Sequence, residues 1–266
     1  MGRERQGATA GDWIMRQGDG PVMATAVHAG HAVRPSLAGR YALTPDERRR
    51  EEDPLTDVLA WAGDDVFVAR RSRFEVDLNR PEEEAVYLRP SDAWGLTVWH
   101  ETPPETEIAQ SLDRRRRFYD MMGARLEEMI ARHGRVLLLD LHTYNHRRDG
   151  PDAPPQPQAD NPDIDLGLTT ADKSRFGDTV GAVWDTLVDH EIGGARRDVR
   201  ENVRFPDGGF WPEWVAATYG TEVCVITLEV KKFFMDEWTG AADLALLEGL
   251  RAAVEAAAIA ARDTLR

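Results

Sequence analysis

Three histidines stand where short apolar runs end, and their types and spacing point to a metal. PVMATAV (residues 21–27) leads into His28-Ala29-Gly30-His31, and RVLLLDL (135–141) leads into His142-Thr143-Tyr144-Asn145. Two His three residues apart, joined by a third from a distant element, form a zinc-ligand pattern. Three protein ligands also leave the fourth position of a tetrahedral ion open for reaction. A third run, EVCVITL (222–228), leads into Glu229, a carboxylate placed to take a proton from a water activated at such an ion. Asp140, two residues before His142, shares its face on a strand and is expected to orient that imidazole from behind. The segment Arg73-Phe74-Glu75-Val76-Asp77-Leu78-Asn79-Arg80 offers guanidinium groups that grip a carboxylate in bidentate fashion. His100, His133, His146 and His190 read as ordinary polar residues.

These side chains need a frame to hold them. Residues 44–62 open with Thr44-Pro45-Asp46-Glu47, a cap residue followed by Pro and acids, and so begin one or two short helices, with Pro54 as a break. DVFVA (65–69) and GLTVW (95–99) read as short strands. Over 105–133, Ile108, Leu112, Tyr119, Met122, Leu126, Met129 and Ile130 recur mostly every three or four residues, which predicts a long amphipathic helix stopped by Gly134. Segments 177–190, 211–219 and 241–263 read as further helices, the second with Trp211 and Trp214 on a core face. Cys224 lies inside a buried strand and reads as core rather than nucleophile. Gly208-Gly209 after Pro206-Asp207 reads as a tight turn.

Strands alternating with helices predict an α/β protein, a three-layer α/β/α arrangement with a mostly parallel mixed sheet. Sites in such sheets lie at the carboxyl ends of strands, where the histidines and Glu229 fall. The Pro- and Asp-rich stretch 149–163 (DGPDAPPQPQADNPD) reads as an exposed loop passing over the site rather than as a linker. The expectation is one domain over 1–266, with 1–20 a polar, weakly ordered N-terminus.

Composition excludes other classes. Lys and Arg number 33 against 47 Asp and Glu, a formal charge of −14 that disfavours nucleic acid and anionic membrane surfaces as partners. The most apolar long stretch, 241–263, carries Asp243, Glu248, Arg251, Glu255 and Arg262, too many charges for a membrane span. Residues 1–20 lack the apolar core of a secretory signal, and a single Cys forms no internal disulfide. A soluble, cytoplasmic protein is expected. Its oligomeric state is not legible, and any metal must be held by His and carboxylate.

Five motifs in order resemble the N-formylglutamate amidohydrolase family, which is related in fold to zinc carboxypeptidases and aspartoacylases. They are His28-Ala29-Gly30, Arg73 through Asp77-Leu78-Asn79-Arg80, Asp140-Leu141-His142-Thr143-Tyr144-Asn145, Pro206-Asp207-Gly208-Gly209, and Leu228-Glu229 followed by Phe234-Met235-Asp236-Glu237. The resemblance implies a phosphorylase/hydrolase-like fold, one catalytic Zn²⁺, and hydrolysis of the amide bond of a small anionic N-acyl amino acid such as N-formylglutamate. By position it implies His28 and His142 as zinc ligands and Glu229 as the base that activates water and then protonates the leaving amine. It also implies Arg73 on the developing oxyanion, with Asn79 and Arg80 on the substrate carboxylate. Tyr144 joins the substrate-binding set from the His142 motif. His31 occupies the position where carboxypeptidase relatives carry the Glu of His-x-x-Glu, so a three-His set is expected. Arg147 and Arg148, just past the motif, are candidates for a second carboxylate. Segments 86–104 and 149–163 are where substrate choice is expected to reside. A carboxypeptidase-type peptidase or an aspartoacylase-like deacylase is the alternative reading. A non-catalytic binding protein is a third reading, which the intact His28, His142 and Glu229 argue against.

Overall fold

The structure, a computed structural model, describes residues 11–265. In chain order its strands are β1 (Trp13–Arg16), β2 (Val22–Ala26), β3 (Asp65–Ala69), β4 (Val136–Tyr144), β5 (Ile164–Gly167), β6 (Glu191–Ile192), β7 (Ala195–Arg196), β8 (Val199–Glu201) and β9 (Val223–Lys231). Its helices are α1 (Pro35–Ala38), α2 (Pro45–Glu51), α3 (Thr56–Ala60), α4 (Glu105–His133), α5 (Lys173–Asp189), α6 (Phe210–Tyr219) and α7 (Leu244–Arg262). One sheet runs in the order β1-β3-β2-β4-β9-β5-β8, and β6 and β7 form a separate small hairpin. Neighbours among β3, β2, β4 and β9 are parallel, whereas β1 and β5 run antiparallel to β3 and β9.

Alternation along the central strands builds a core on each face. Val22, Ala24, Leu137, Leu139, Cys224 and Ile226 pack with Val183 and Leu187 of α5 and Leu250 and Val254 of α7. Met23, Val136, Leu138 and Val225 point the other way, against Phe118 and Met122 of α4 and Trp211 of α6. A strand covered on both faces has no polar positions to spare, so these strands read as continuous apolar runs. This is the expected three-layer α/β/α arrangement with a mostly parallel mixed sheet.

On the α4/α6 face the apolar pattern stops at one level. Along β4 the series Val136, Leu138 continues as Asp140, His142, and along β9 the series Val223, Val225 continues as Thr227, Glu229. The register places Thr25 beside Asp140, Asp140 beside Thr227, and His142 beside Glu229. Paired residues of a sheet point to the same side, so these polar groups share one surface at the carboxyl ends.

Some elements differ from the sequence reading. Strands β4 and β9 run three residues past their apolar runs, because their pairing continues to Tyr144 and Lys231. GLTVW is not a strand. Trp99 makes one isolated bridge with Tyr41 and stacks on it at 4.3 Å, inside a third apolar cluster. Part of the segment expected to be weakly ordered is β1, whose Trp13 and Met15 turn onto the α4-side core while Ile14 stays exposed. Residues 1–10 of that segment lie outside the described residues. The 149–163 loop holds only a short 3₁₀ turn, Gln158–Asp160. Strand β5 follows it unannounced, because buried Asp165 interrupts its apolar pattern and accepts the backbone N–H groups of Val203 and Arg204. Among the described residues, no helix is long and apolar enough to cross a membrane.

Candidate active site

A cavity of about 370 Å³ opens at the carboxyl ends of β4 and β9 and is lined by His28, Asp53, His142 and Glu229. His28 follows β2. Asp53 comes from the bend between α2 and α3. Thr44 and Glu47 form a capping box that starts α2, and Pro54 prevents α2 from continuing, because the residue before a proline is kept out of the helical region. The Asp53 N–H donates to the His28 carbonyl at 3.0 Å, and Thr56 Oγ1 donates to the Asp53 carbonyl at 2.7 Å. The bend is thereby tied to the His28 turn.

Three buried donor atoms converge here. His28 Nδ1 lies 3.2 Å from His142 Nδ1, and Asp53 Oδ2 lies 3.4 Å from the first and 2.9 Å from the second. Behind them, His28 Nε2 meets Asp77 Oδ1 at 2.7 Å, and His142 Nε2 meets Asp140 Oδ2 at 2.8 Å. An ionised carboxylate only accepts, so each Nε2 carries a proton, and each Nδ1 is left as the atom that either donates to Asp53 or, once it has lost that proton, offers a lone pair to a cation. Two ring nitrogens and a carboxylate oxygen aimed at one point repel one another unless a proton or a metal cation lies between them. Zinc bonds of ~2.0–2.2 Å separate tetrahedral ligand atoms by about 3.3–3.6 Å, close to two of the three separations found, with the His142–Asp53 pair tighter. The donor set therefore fits a divalent cation. Among the described residues, His28, Asp53 and His142 are the group of His, Cys, Asp and Glu side chains able to hold one.

The charges agree. Burial opposes ionisation of Asp53, yet hydrogen bonds from His142 and His28 hold its carboxyl below the usual range. Burial likewise disfavours a charged His142, but Asp140 and Asp53 hold it well above the ordinary imidazole value. The same negative field that retains a proton on His142 attracts a metal cation. Glu229 differs, because burial pushes its carboxyl up to about 8, with His142 pulling down and Asp53 and Asp140 pushing up. Thr25 Oγ1 donates to Asp140 at 2.6 Å and accepts from Trp211 Nε1 at 3.3 Å, which locks the carboxylate behind His142.

Asp77 joins the His28 side of the cavity to the Arg73 side. Besides His28 it accepts from the Arg73 guanidinium at 2.8 Å, the Asn79 N–H at 2.7 Å and the Tyr87 hydroxyl. Arg73 lines the cavity and lies 4.9 Å from the Trp94 ring. Arg80, Tyr144 and Arg148 also line it, while Arg147 does not and reaches Asp236 at 3.5 Å. The Tyr144 hydroxyl donates to the Pro162 carbonyl, so the ring forms wall. Asn79 is engaged on both sides of its amide: Nδ2 donates to the Gly208 carbonyl at 2.7 Å, and Oδ1 accepts the Trp211 N–H at 2.8 Å. It orders the turn that opens α6. Gly208 and Gly209 have φ of 73° and 97°, and a Cβ on either would strike Thr227 or the Asn79 amide, so this turn requires glycine.

His31 does not join the three-His set expected from spacing. It lies in the chain beyond the turn, with Nδ1 2.6 Å from Glu52 Oε2, and Asp53 completes the group instead. Sequence reasoning also missed Lys232, a buried lysine in the cavity wall. For Asp53 the local signal was a carboxylate before the Pro54 helix break. For Lys232 there was the position just past the strand that carries Glu229. The 149–163 loop contributes no lining residue, whereas Trp94 comes from the 86–104 segment.

The chain matches the family model of N-formylglutamate amidohydrolase over residues 20–235. Among solved structures it is similar to N-formylglutamate amidohydrolase from Ralstonia eutropha JMP134, with 16% identity, coverage of 96% of this chain and 97% of that one, and a TM-score of 0.69. A gene product of Agrobacterium tumefaciens is similar at 18% identity, covering 91% of this chain and 94% of that one, with a TM-score of 0.58. At such identities the two structures bear on the fold. No curated protein matches the chain. The matched span contains His28, Asp53, Asp77, His142 and Glu229 together with every sheet strand except β1. The chain belongs to the N-formylglutamate amidohydrolase family.

Proposed function

We propose that this protein is a zinc-dependent hydrolase that cleaves N-formylglutamate to formate and glutamate. The observation that supports this reading is the convergence of His28 Nδ1, His142 Nδ1 and Asp53 Oδ2 beside Glu229 in one cavity. A divalent cation held by those three residues supplies Lewis-acid polarisation of the acyl oxygen and lowers the pKa of a water toward ~7. Glu229 takes the proton of the attacking water and passes it to the leaving nitrogen. A carboxyl raised by burial is suited to holding that proton between the two steps. Arg73, held by Asp77 and by its stacking on Trp94, donates to the acyl oxygen as it gains charge. Arg80 grips the substrate carboxylate and Arg148 receives the side-chain carboxylate, so both ends of the amino acid are fixed relative to Glu229.

The direct test is to supply zinc-loaded protein with N-formyl-L-glutamate, N-acetyl-L-aspartate and short peptides, and to measure formate, acetate and free amino acids. Formate and glutamate in equal amounts are expected. Release of acetate or of carboxy-terminal residues in their place would overturn the substrate assignment. Arg80→Ala is expected to raise KM about 10–100-fold with kcat nearly unchanged, because a hydrogen bond to a charged group contributes ~1.5–3 kcal/mol. An unchanged KM would remove Arg80 from the carboxylate site.

A further inference from the structure

Lys232 lies just past the end of β9 and is 1% exposed. Its Nζ donates to the Arg50 carbonyl at 2.6 Å, the Glu52 carbonyl at 2.9 Å and Asn145 Oδ1 at 2.8 Å. An ammonium has three donors, and all three are engaged, so none is left for a substrate atom. Two of the acceptors are carbonyls from the end of α2 and the bend that carries Asp53. The third is the side chain of Asn145, just beyond β4 and three residues after His142. The Lys232 backbone is itself pinned, its N–H donating to the Tyr144 carbonyl at 3.0 Å. One side chain thus ties the elements that bring Glu229, His142 and Asp53 together. Burying an ammonium against neutral acceptors costs stability that an apolar side chain of similar length would avoid.

We infer that Lys232 is a positioning residue, whose three hydrogen bonds fix the Asp53 bend against the end of β4 so that the three converging donor atoms are set for a cation before it arrives. The inference rests on the metal site proposed above. Preorganisation of this kind acts on metal affinity, because a bend free to move must be ordered by the ion itself. The neighbouring Lys231 supplies a control. It too is buried, but it pairs with Asp163 at 2.6 Å and donates to the Asn161 carbonyl at 3.0 Å, securing the 158–163 segment rather than the bend.

The experiment is calorimetric titration of the metal-free full-length protein with Zn²⁺, alongside circular dichroism and thermal unfolding, for wild type, Lys232→Met and Lys231→Met. Lys232→Met is expected to bind zinc about 10–100-fold more weakly, the range for loss of a supporting partner, and Lys231→Met within about twofold of wild type. Lys232→Met binding as tightly as wild type, or an equal loss in Lys231→Met, would overturn the inference while leaving the metal site standing. A wild type that takes up no zinc would overturn the metal reading itself. Should Lys232→Met not fold, Asn145→Ala carries the test: removing one of the three bonds is expected to weaken zinc binding about 3–10-fold, and unchanged affinity overturns the inference.

Discussion

Glu229→Gln is expected to take up one zinc per chain as the wild type does, and to hydrolyse N-formylglutamate about 10²–10⁴-fold more slowly, the usual contribution of a positioned general base. Glutamine keeps the shape and a hydrogen-bonding carbonyl but cannot take a proton. Glu229 is also outside the group that could hold the metal, so binding and chemistry separate in this variant. The loss should fall on kcat more than on KM, because the missing step occurs after substrate has bound. Retention of more than about a tenth of wild-type kcat would remove Glu229 from the role. Stability gives a second readout. Burial raises the folded carboxyl from 4.5 to about 8, so the folded metal-free protein binds a proton here that the unfolded chain releases near 4.5. The stability linked to that proton is fully present below about 4.5 and is lost as pH rises through about 8. Metal-free Glu229→Gln should therefore melt higher than metal-free wild type above pH 8, with the difference shrinking toward pH 5. Bound zinc would reduce it, since a nearby dication favours the ionised carboxylate.

The parts of this molecule legible in the sequence are those whose environment is set locally or is uniform along an element. Strands β4 and β9 are apolar because helices cover both faces, and α4 is periodic because one stripe of it meets the sheet. Where such a run turns polar on one face, as at Asp140 and Thr227, the change itself marks the end that faces the cavity. Strands away from the centre of the sheet give no such signal. Strand β1 shows only two core contacts from four residues, and β5 carries a buried Asp whose partners come from more than thirty residues away. Asp53 was illegible for a related reason. Glu51, Glu52 and Asp53 are three adjacent acids, and the fold sends them to different partners: Arg50, His31 with Ser72, and the imidazole pair. Spacing favoured His31, whose sequence distance from His28 suits a shared ion, but nothing in that spacing reveals that Glu52 stands in front of it. Asn79, read as a substrate contact, does line the cavity, but what its type alone could not reveal is that its amide also holds the turn that opens α6.

Asp53→Ala and His31→Ala together decide which residue completes the metal group. Asp53 brings the formal negative charge among the three converging side chains, and in the metal-free protein hydrogen bonds from both imidazoles keep it ionised. Its removal leaves the two Nδ1 atoms, one ligand short of the three that catalytic zinc sites keep, and lowers the negative field that draws a cation in. Zinc should fall below stoichiometric after dialysis, and activity should drop by more than the ~10–100-fold seen when only a supporting partner is lost. His31→Ala instead deletes an imidazole whose side chain is 29% exposed and whose contact is Glu52, a carboxylate that still receives the Ser72 hydroxyl. That change should cost at most about 1 kcal/mol of stability, the value of one modest hydrogen bond, and leave zinc content and kcat close to wild type. Metal analysis of the two dialysed variants reads the contrast directly. Zinc retained by Asp53→Ala but lost from His31→Ala would restore the three-His set and require the α2–α3 bend to move away from the imidazoles when the ion binds. The hydrogen bonds that join Asp53 to the His28 carbonyl and Lys232 to the same bend argue against such a movement, because each would have to break inside a buried wall with no solvent to replace it.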